Sequence, residues 1–169
     1  MGKKIIERKF EDEYVEMVVS FYHYAIKAKR LKFGYISPTN ESDHHNFSEG
    51  PHLTGEQHAR ILNKIIRRMQ ELQIMDGNRV MAPDNANLEP AFNEFIPAMM
   101  RDSIIMVHAG PLAFHSYMPN IHGVGPYIKA SKYRDKPFWI TEWNTWCNGC
   151  DDGIKAEYNY QFARASVSN

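Results

Sequence analysis

The chain has 169 residues, and its 20 lysines and arginines balance its 20 aspartates and glutamates, so the formal charge is zero. That balance leaves no electrostatic footprint for nucleic acid or an anionic membrane surface, and no apolar run approaches the roughly 20 residues of a membrane-spanning helix. With 43% hydrophobic and 12% aromatic residues there is material for one packed core, and neither a repeat nor a low-complexity linker marks a domain boundary.

The opening stretch MGKKIIERKFEDEY is basic at first but lacks the apolar segment of a secretory leader. That absence says nothing of a longer parent protein, for which a secreted or periplasmic setting stays open. Residues 11–32 place Tyr14, Met17, Val18, Phe21, Tyr24, Ala25 and Ala28 at helical steps. This predicts an amphipathic helix with that face in the core, acids at its start and bases at its end, as the helix dipole favours. Phe33 to Ser37 reads as a short buried strand stopped by Pro38.

A polar loop over 42–55 leads to Thr54, a candidate N-cap with Gln57 in the capping-box position. Ile61, Leu62, Ile65, Ile66, Met69 and Leu72 continue at helical spacing toward Asp76-Gly77. RVMAPDN is a second strand-like run, and Glu89 to Met100 reads as a helix with Pro90 in its first turn. Ser103 to Val107 reads as a turn or a strand of its own, and LAFHSY (112–117) as the third strand in the series. GPYIKASKYRDK predicts a short helix, PFWITEW (137–143) the fourth strand, and Ile154 to Val167 a closing helix.

Strands alternating with helices predict βαβ units and a parallel sheet, hence an α/β fold. In such sheets functional residues gather at the carboxyl ends of the strands. Those ends carry Asn40-Glu41, Asp84-Asn85, His115 with Tyr117, and Glu142-Trp143. The successive intervals from Glu41 through Asp84 and His115 to Glu142, about 43, 31 and 27 residues, are each close to one strand-and-helix repeat. Along a flat sheet Glu41 and Glu142 would stand too far apart to cooperate, whereas closing the sheet into a barrel sets them across its mouth. Two carboxylates so placed can divide the roles of acid and nucleophile in glycosidic bond cleavage.

ISPTNE, FHSY and WITEW resemble the fourth-, sixth- and seventh-strand motifs of the retaining (β/α)8-barrel glycoside hydrolases of clan A, the group that includes families 5, 30 and 39. The likeness extends over roughly residues 30 to 145. It implies an α/β chain forming a partial TIM (β/α)8 barrel, roughly the fourth to seventh βα units, with residues 1–169 as one incomplete catalytic domain. It further implies a hydrolase of β-linked glycans that takes an oligosaccharide or polysaccharide and needs no cofactor. Glu41 would be the general acid/base, Glu142 the nucleophile, and Asn40 the donor to the sugar 2-hydroxyl. Tyr117 resembles the tyrosine that orients the nucleophile, and His115 the histidine that accompanies it. Asp84, Asn85, Trp143 and Asn144 would be further sugar contacts.

Two features depart from the pattern. Ser42 follows Glu41 where many members of the clan have proline. A complete barrel takes about 250 residues, so the sequence predicts that the first three strands and the eighth lie outside this chain. Open sheet edges would then favour association and leave the chain alone with little turnover.

Other readings compete. Asp84 and Asn85 would serve equally as helix caps. Trp139 reads as packing, while Trp143 and Trp146 offer aromatic faces to a sugar. A barrel fragment that binds carbohydrate without turning it over would keep the same rim. A metal-dependent hydrolase would draw on Cys147 and Cys150 of WCNGC, which alone are half a zinc site, a redox pair or a local disulfide. Its further ligands would come from His44, His45, His52 and His58, scattered through a loop and a helix start.

Overall fold

In the computed structural model, which describes residues 5–44, 50–75, 80–116 and 134–143, helix α1 runs Glu11–Lys27 after a 3-10 turn at Arg8–Phe10. Glu11 decides which way α1 faces. Its side chain is fully buried between Arg60, at 2.7 Å, and Lys64, at 3.3 Å, on helix α2 (Gly55–Glu71). The Arg60 hydrogen bonds hold the Glu11 carboxyl below its ordinary pKa against the opposing effect of burial.

With Glu11 so anchored, α1 buries Val15, Val19, Tyr22 and Ala25. Met17, Phe21 and Tyr24, expected in the core, are instead exposed. The helix carries two apolar stripes, and the ion pair selects the one that meets α2. Past Lys27 the chain turns through Arg30, at φ 55°, and the Leu31 N–H returns to the Ala25 carbonyl at 3.0 Å, which stops the helix short of the expected residue 32.

Helix α2 starts where the sequence placed its cap: Thr54 Oγ1 accepts the Gln57 N–H at 3.2 Å. Gln57 does not close a capping box, because its side-chain amide donates to the Ile6 carbonyl at 2.6 Å and ties the preceding segment to α2. Thr54→Ala should therefore cost about 1 kcal/mol, read as a lower urea midpoint at unchanged slope; a midpoint equal to wild type would show that the cap contributes nothing. Leu53, Ile61, Leu62, Ile65, Ile66 and Met69 are buried. The helix closes with Gln73 at φ 54° and the Ile74 N–H on the Met69 carbonyl at 3.0 Å, a left-handed cap.

Strand β1 (Val80–Asn85) leads through α3 (Leu88–Pro90), a π-helical turn (Ala91–Phe95), α4 (Ile96–Met100) and α5 (Ser103–His108) into β2 (Ala109–Ser116), and β3 is Phe138–Trp143. The stretch at Ser103 is thus helical, neither turn nor strand. The Asp102 side chain accepts the Ile104 and Ile105 N–H groups at 2.9 and 3.3 Å, and that cap outweighs the strand preference of the isoleucines. Among the described residues no helix is long and apolar enough to cross a membrane.

The three strands form a parallel sheet in the order β1-β2-β3. Val80 pairs with Ala109 and Leu112 with Phe138. β1 and β2 are almost wholly buried, as strands covered on both faces should be. The expected strand at Phe33 to Ser37 is reduced to one parallel bridge, Ile36 to Val80, with the Met81 N–H on the Ile36 carbonyl at 3.0 Å. Pro38 and the cross-links described below take the chain off the ladder before a second rung forms.

That segment and β3 lie at opposite edges, three lateral steps or roughly 14 Å apart if the sheet were flat. Instead the rings of Tyr35 and Trp139 meet edge-on with centroids 4.9 Å apart. The sheet is therefore strongly curled, and its two edges approach each other across the concave side. The expected helices within 125–136 and 154–167 lie wholly or mostly outside the described residues.

Candidate active site

Segment 36–44 is fastened by cross-links from three elements. Tyr14 of α1 donates to the Pro38 carbonyl at 2.6 Å, and the Glu41 N–H donates to the Asp84 carbonyl of β1 at 3.0 Å. Asp43 accepts the Ala86 N–H, the Asn87 N–H and the Asn87 side-chain amide, each at 2.9 Å, which binds the loop to the start of α3. Gly50 presses on the same turn: a Cβ there would stand 2.1 Å from the Asn40 carbonyl oxygen, so only glycine fits. Glu41 itself has φ 47°, a left-handed conformation that costs a non-glycine residue roughly 1–3 kcal/mol. The cross-links hold it there.

Two bulges shape the facing strands. In β1, Pro83 pairs with Ala113 and Asn85 with Phe114, which leaves Asp84 as an extra residue at φ 58°. In β3, Ile140 pairs with Phe114 and Glu142 with His115, which leaves Thr141 extra. A bulge breaks the period-two alternation and re-aims side chains. Here the two extra residues meet: Thr141 Oγ1 donates to Asp84 Oδ1 at 2.5 Å. Ser37 Oγ lies 2.5 Å from Asp84 Oδ2 and 2.9 Å from the Thr39 carbonyl, its single proton serving one acceptor at a time.

His115 lies at the centre, its side chain fully buried. Nδ1 is 2.8 Å from Glu41 Oε1, and Nε2 is 3.5 Å from both Asp84 Oδ1 and Glu142 Oε1. Burial opposes a charged ring. The nearby Asp84 carboxylate, the hydrogen bond to Glu41 and the charge of Glu142 outweigh it and hold the His115 pKa above its ordinary value. For Asp84 burial likewise favours the neutral form, and the close His115 ring with hydrogen bonds from Ser37 and Thr141 overcomes it, lowering the pKa.

One oxygen from each of Glu41 and Glu142 and one ring nitrogen of His115 all lie within 4.8 Å of one another. The glutamates differ in access, with 14% of the Glu41 side chain exposed against 45% for Glu142. Two carboxylates and an imidazole so placed are also the donor types of a cation site. Of the histidines offered for a metal reading, His52 donates from Nδ1 to the Ser42 carbonyl at 2.9 Å, and His58 Nε2 lies 3.2 Å from Thr39 Oγ1. His45, Cys147 and Cys150 lie outside the described residues.

Of the other residues expected at the site, Asn40 is half-buried beside Glu41. Asp84 and Asn85 are buried behind the rim. Asp84 has both carboxylate oxygens engaged by protein groups, and Asn85 finds no partner for its side-chain oxygen or nitrogen among the described residues. The bulge turns Asp84 inward, and Asn85 has no exposed surface. Trp143 ends β3 in register with Ser116, and its side chain, like Tyr117, Asn144 and Trp146, lies outside the described residues. Trp139 packs on Tyr35. Ser37, Thr141, Asp43 and Gly50 were not singled out in the sequence. The first two become visible only through the bulges, which no hydrophobic period announces.

No protein-family model matches the chain, and no curated protein matches it. Among solved structures, the chain is similar to a glycoside hydrolase family 30 subfamily 8 xylanase, Xyn30A, from Clostridium acetobutylicum, with TM-score 0.53 and 14% identity over 96% of this chain. The chain spans about half, 48%, of that protein's length. At this identity the likeness is one of fold. The α/β arrangement with its curled parallel sheet is consistent with part of a TIM-like barrel, and the fold is distantly glycoside hydrolase-like.

Proposed function

We propose that this chain carries the acid/base and nucleophile of a retaining glycoside hydrolase acting on β-linked glycans, on what would be the fourth to seventh βα units of a (β/α)8 barrel. The observation that carries the reading is the approach of Glu41 and Glu142 oxygens to within 4.8 Å from opposite edges of a curled sheet. Retaining enzymes place their carboxyl groups about 5–5.5 Å apart, and inverting ones at 6.5–9.5 Å to admit a water. The fold likeness to a family 30 xylanase supports the same class.

In the proposed first step a Glu142 carboxylate oxygen bonds to the anomeric carbon as the glycosidic C–O bond breaks. The Glu41 carboxyl gives its proton to the departing oxygen. Water then attacks the anomeric carbon, Glu41 takes its proton, and the bond to Glu142 breaks, restoring both groups. The greater exposure of Glu142 suits a nucleophile that must reach substrate. Asn40 would hold the sugar 2-hydroxyl, with Tyr117, Trp143 and Asn144 as further contacts on the rim.

The test is covalent trapping. An activated aryl fluoroglycoside, with xylosides tried first because the similar fold belongs to a xylanase, should add one glycosyl unit to the protein by intact mass, on the peptide that holds Glu142. Glu142→Gln should take no label and lose turnover while still binding sugar, assayed in the 169-residue chain and in any longer form that contains it. Labelling of another residue, or normal turnover in Glu142→Gln, would overturn the assignment. Sugar binding with neither label nor turnover in a longer form that completes the barrel would favour the non-catalytic reading.

A further inference from the structure

Asp84 touches every part of the candidate site without facing solvent. Its carbonyl takes the Glu41 N–H at 3.0 Å. Its Oδ1 accepts Thr141, the neighbour of Glu142, at 2.5 Å and lies 3.5 Å from His115 Nε2. Its Oδ2 accepts Ser37, one residue past the Ile36 bridge, at 2.5 Å.

We infer that Asp84 is a positioning residue that binds no sugar itself and holds Glu41, His115 and Glu142 in their working arrangement. The inference rests on the two-glutamate reading above and goes further by assigning what supports it. In the first half-reaction negative charge leaves Glu142 and appears on Glu41. The ring meets Glu41 through Nδ1 and Glu142 through Nε2, so when protonated it serves the charge at either place without moving. Because each glutamate is neutral at one stage of the cycle, neither alone can keep the ring charged throughout. Asp84 takes no proton in either half-reaction, and Thr141 and Ser37 present hydroxyl donors to its two oxygens. It therefore supplies a constant counter-charge. Among the described residues, the charged or titratable groups facing the ring include Glu41, Asp84 and Glu142, and His58, which feels the Asp84 charge, is buried with a pKa of about 4.

The deciding experiment is a pH titration of the histidine ring nitrogens by NMR in the 169-residue chain, wild type and Asp84→Asn. In wild type the His115 midpoint should lie above the ordinary imidazole value of about 6.5, and in Asp84→Asn it should fall by about one pH unit or more. On an aryl glycoside, Asp84→Asn should lower kcat about tenfold or more with KM within about twofold, and its alkaline limb should move to lower pH. Asp84→Glu, which restores the charge at the wrong reach, should recover the ring titration but not kcat.

A wild-type midpoint at or below the ordinary value overturns the inference, and it needs no variant to fold. An unshifted midpoint in Asp84→Asn overturns it too, as does a raised KM at unchanged kcat, which would mark a sugar contact. If a longer form that completes the barrel neither turns over nor takes the covalent label, the proposed function fails, while the ring titration still decides whether Asp84 sustains the charge on His115.

Discussion

Replacing Glu41 by glutamine is expected to slow hydrolysis of an unactivated β-linked glycan by about 10²–10⁴-fold, the usual contribution of a placed general acid. An aryl glycoside whose leaving group departs without a proton should lose far less in its first step. For that substrate breakdown of the glycosyl intermediate becomes limiting, so a burst of phenol should precede a slow steady state. In the proposed acid role Glu41 Oε1 is engaged by His115 at 2.8 Å, and the second oxygen would carry the proton to the leaving group. Glutamine keeps an oxygen for His115 and removes only the transferable proton. Steady-state and burst kinetics on the two substrates check this, and equal losses on both would remove Glu41 from the acid role.

The second large effect is on stability. His58 is buried against the Phe95 ring, with centroids 5.4 Å apart, and burial pushes its pKa down to about 4 even though the Asp84 charge pulls the other way. In the unfolded chain the same ring titrates near 6.5. Between those values the unfolded state binds a proton that the folded state refuses, so stability is complete above about pH 6.5 and drains away as the pH falls toward 4. The gap amounts to about 3 kcal/mol. Urea unfolding at pH 7 and at pH 4.5 should show wild type losing more than His58→Gln by roughly 2–3 kcal/mol. Equal losses would mean that the ring is not held neutral. Because His58 Nε2 lies 3.2 Å from Thr39 Oγ1, two residues before Glu41, acid that opens this contact would loosen the site first.

Much of the fold is legible in the sequence because it rests on local chemistry. Thr54 announces α2, and the runs ending at Asp84-Asn85, His115 and Glu142 are strands because apolar residues cluster between breakers. The two glutamates stand out because each follows a strand-like run, and closing the sheet into a barrel sets them across one mouth. Other features depend on partners distant in sequence. Which stripe of α1 is buried follows from Glu11 meeting Arg60 and Lys64, and periodicity alone is blind to that choice. Thr141 was passed over because regular alternation lets only one of two adjacent residues face the site, whereas the bulge admits both Thr141 and Glu142. Asp84 looked like a sugar contact or a cap since nothing local reveals its left-handed backbone or its buried donors.

The Glu41 segment joins the sheet by a single rung and is otherwise bolted on by Tyr14, Asp84 and Asp43. The unit that presents this glutamate is therefore scattered from Tyr14 to Asn87 and is not the short loop that contains it. Anyone exchanging residues 38–44 for a loop of another specificity would be transplanting a keystone without its arch. The bolts in α1, in β1 and at Ala86 and Asn87 would have to travel with it.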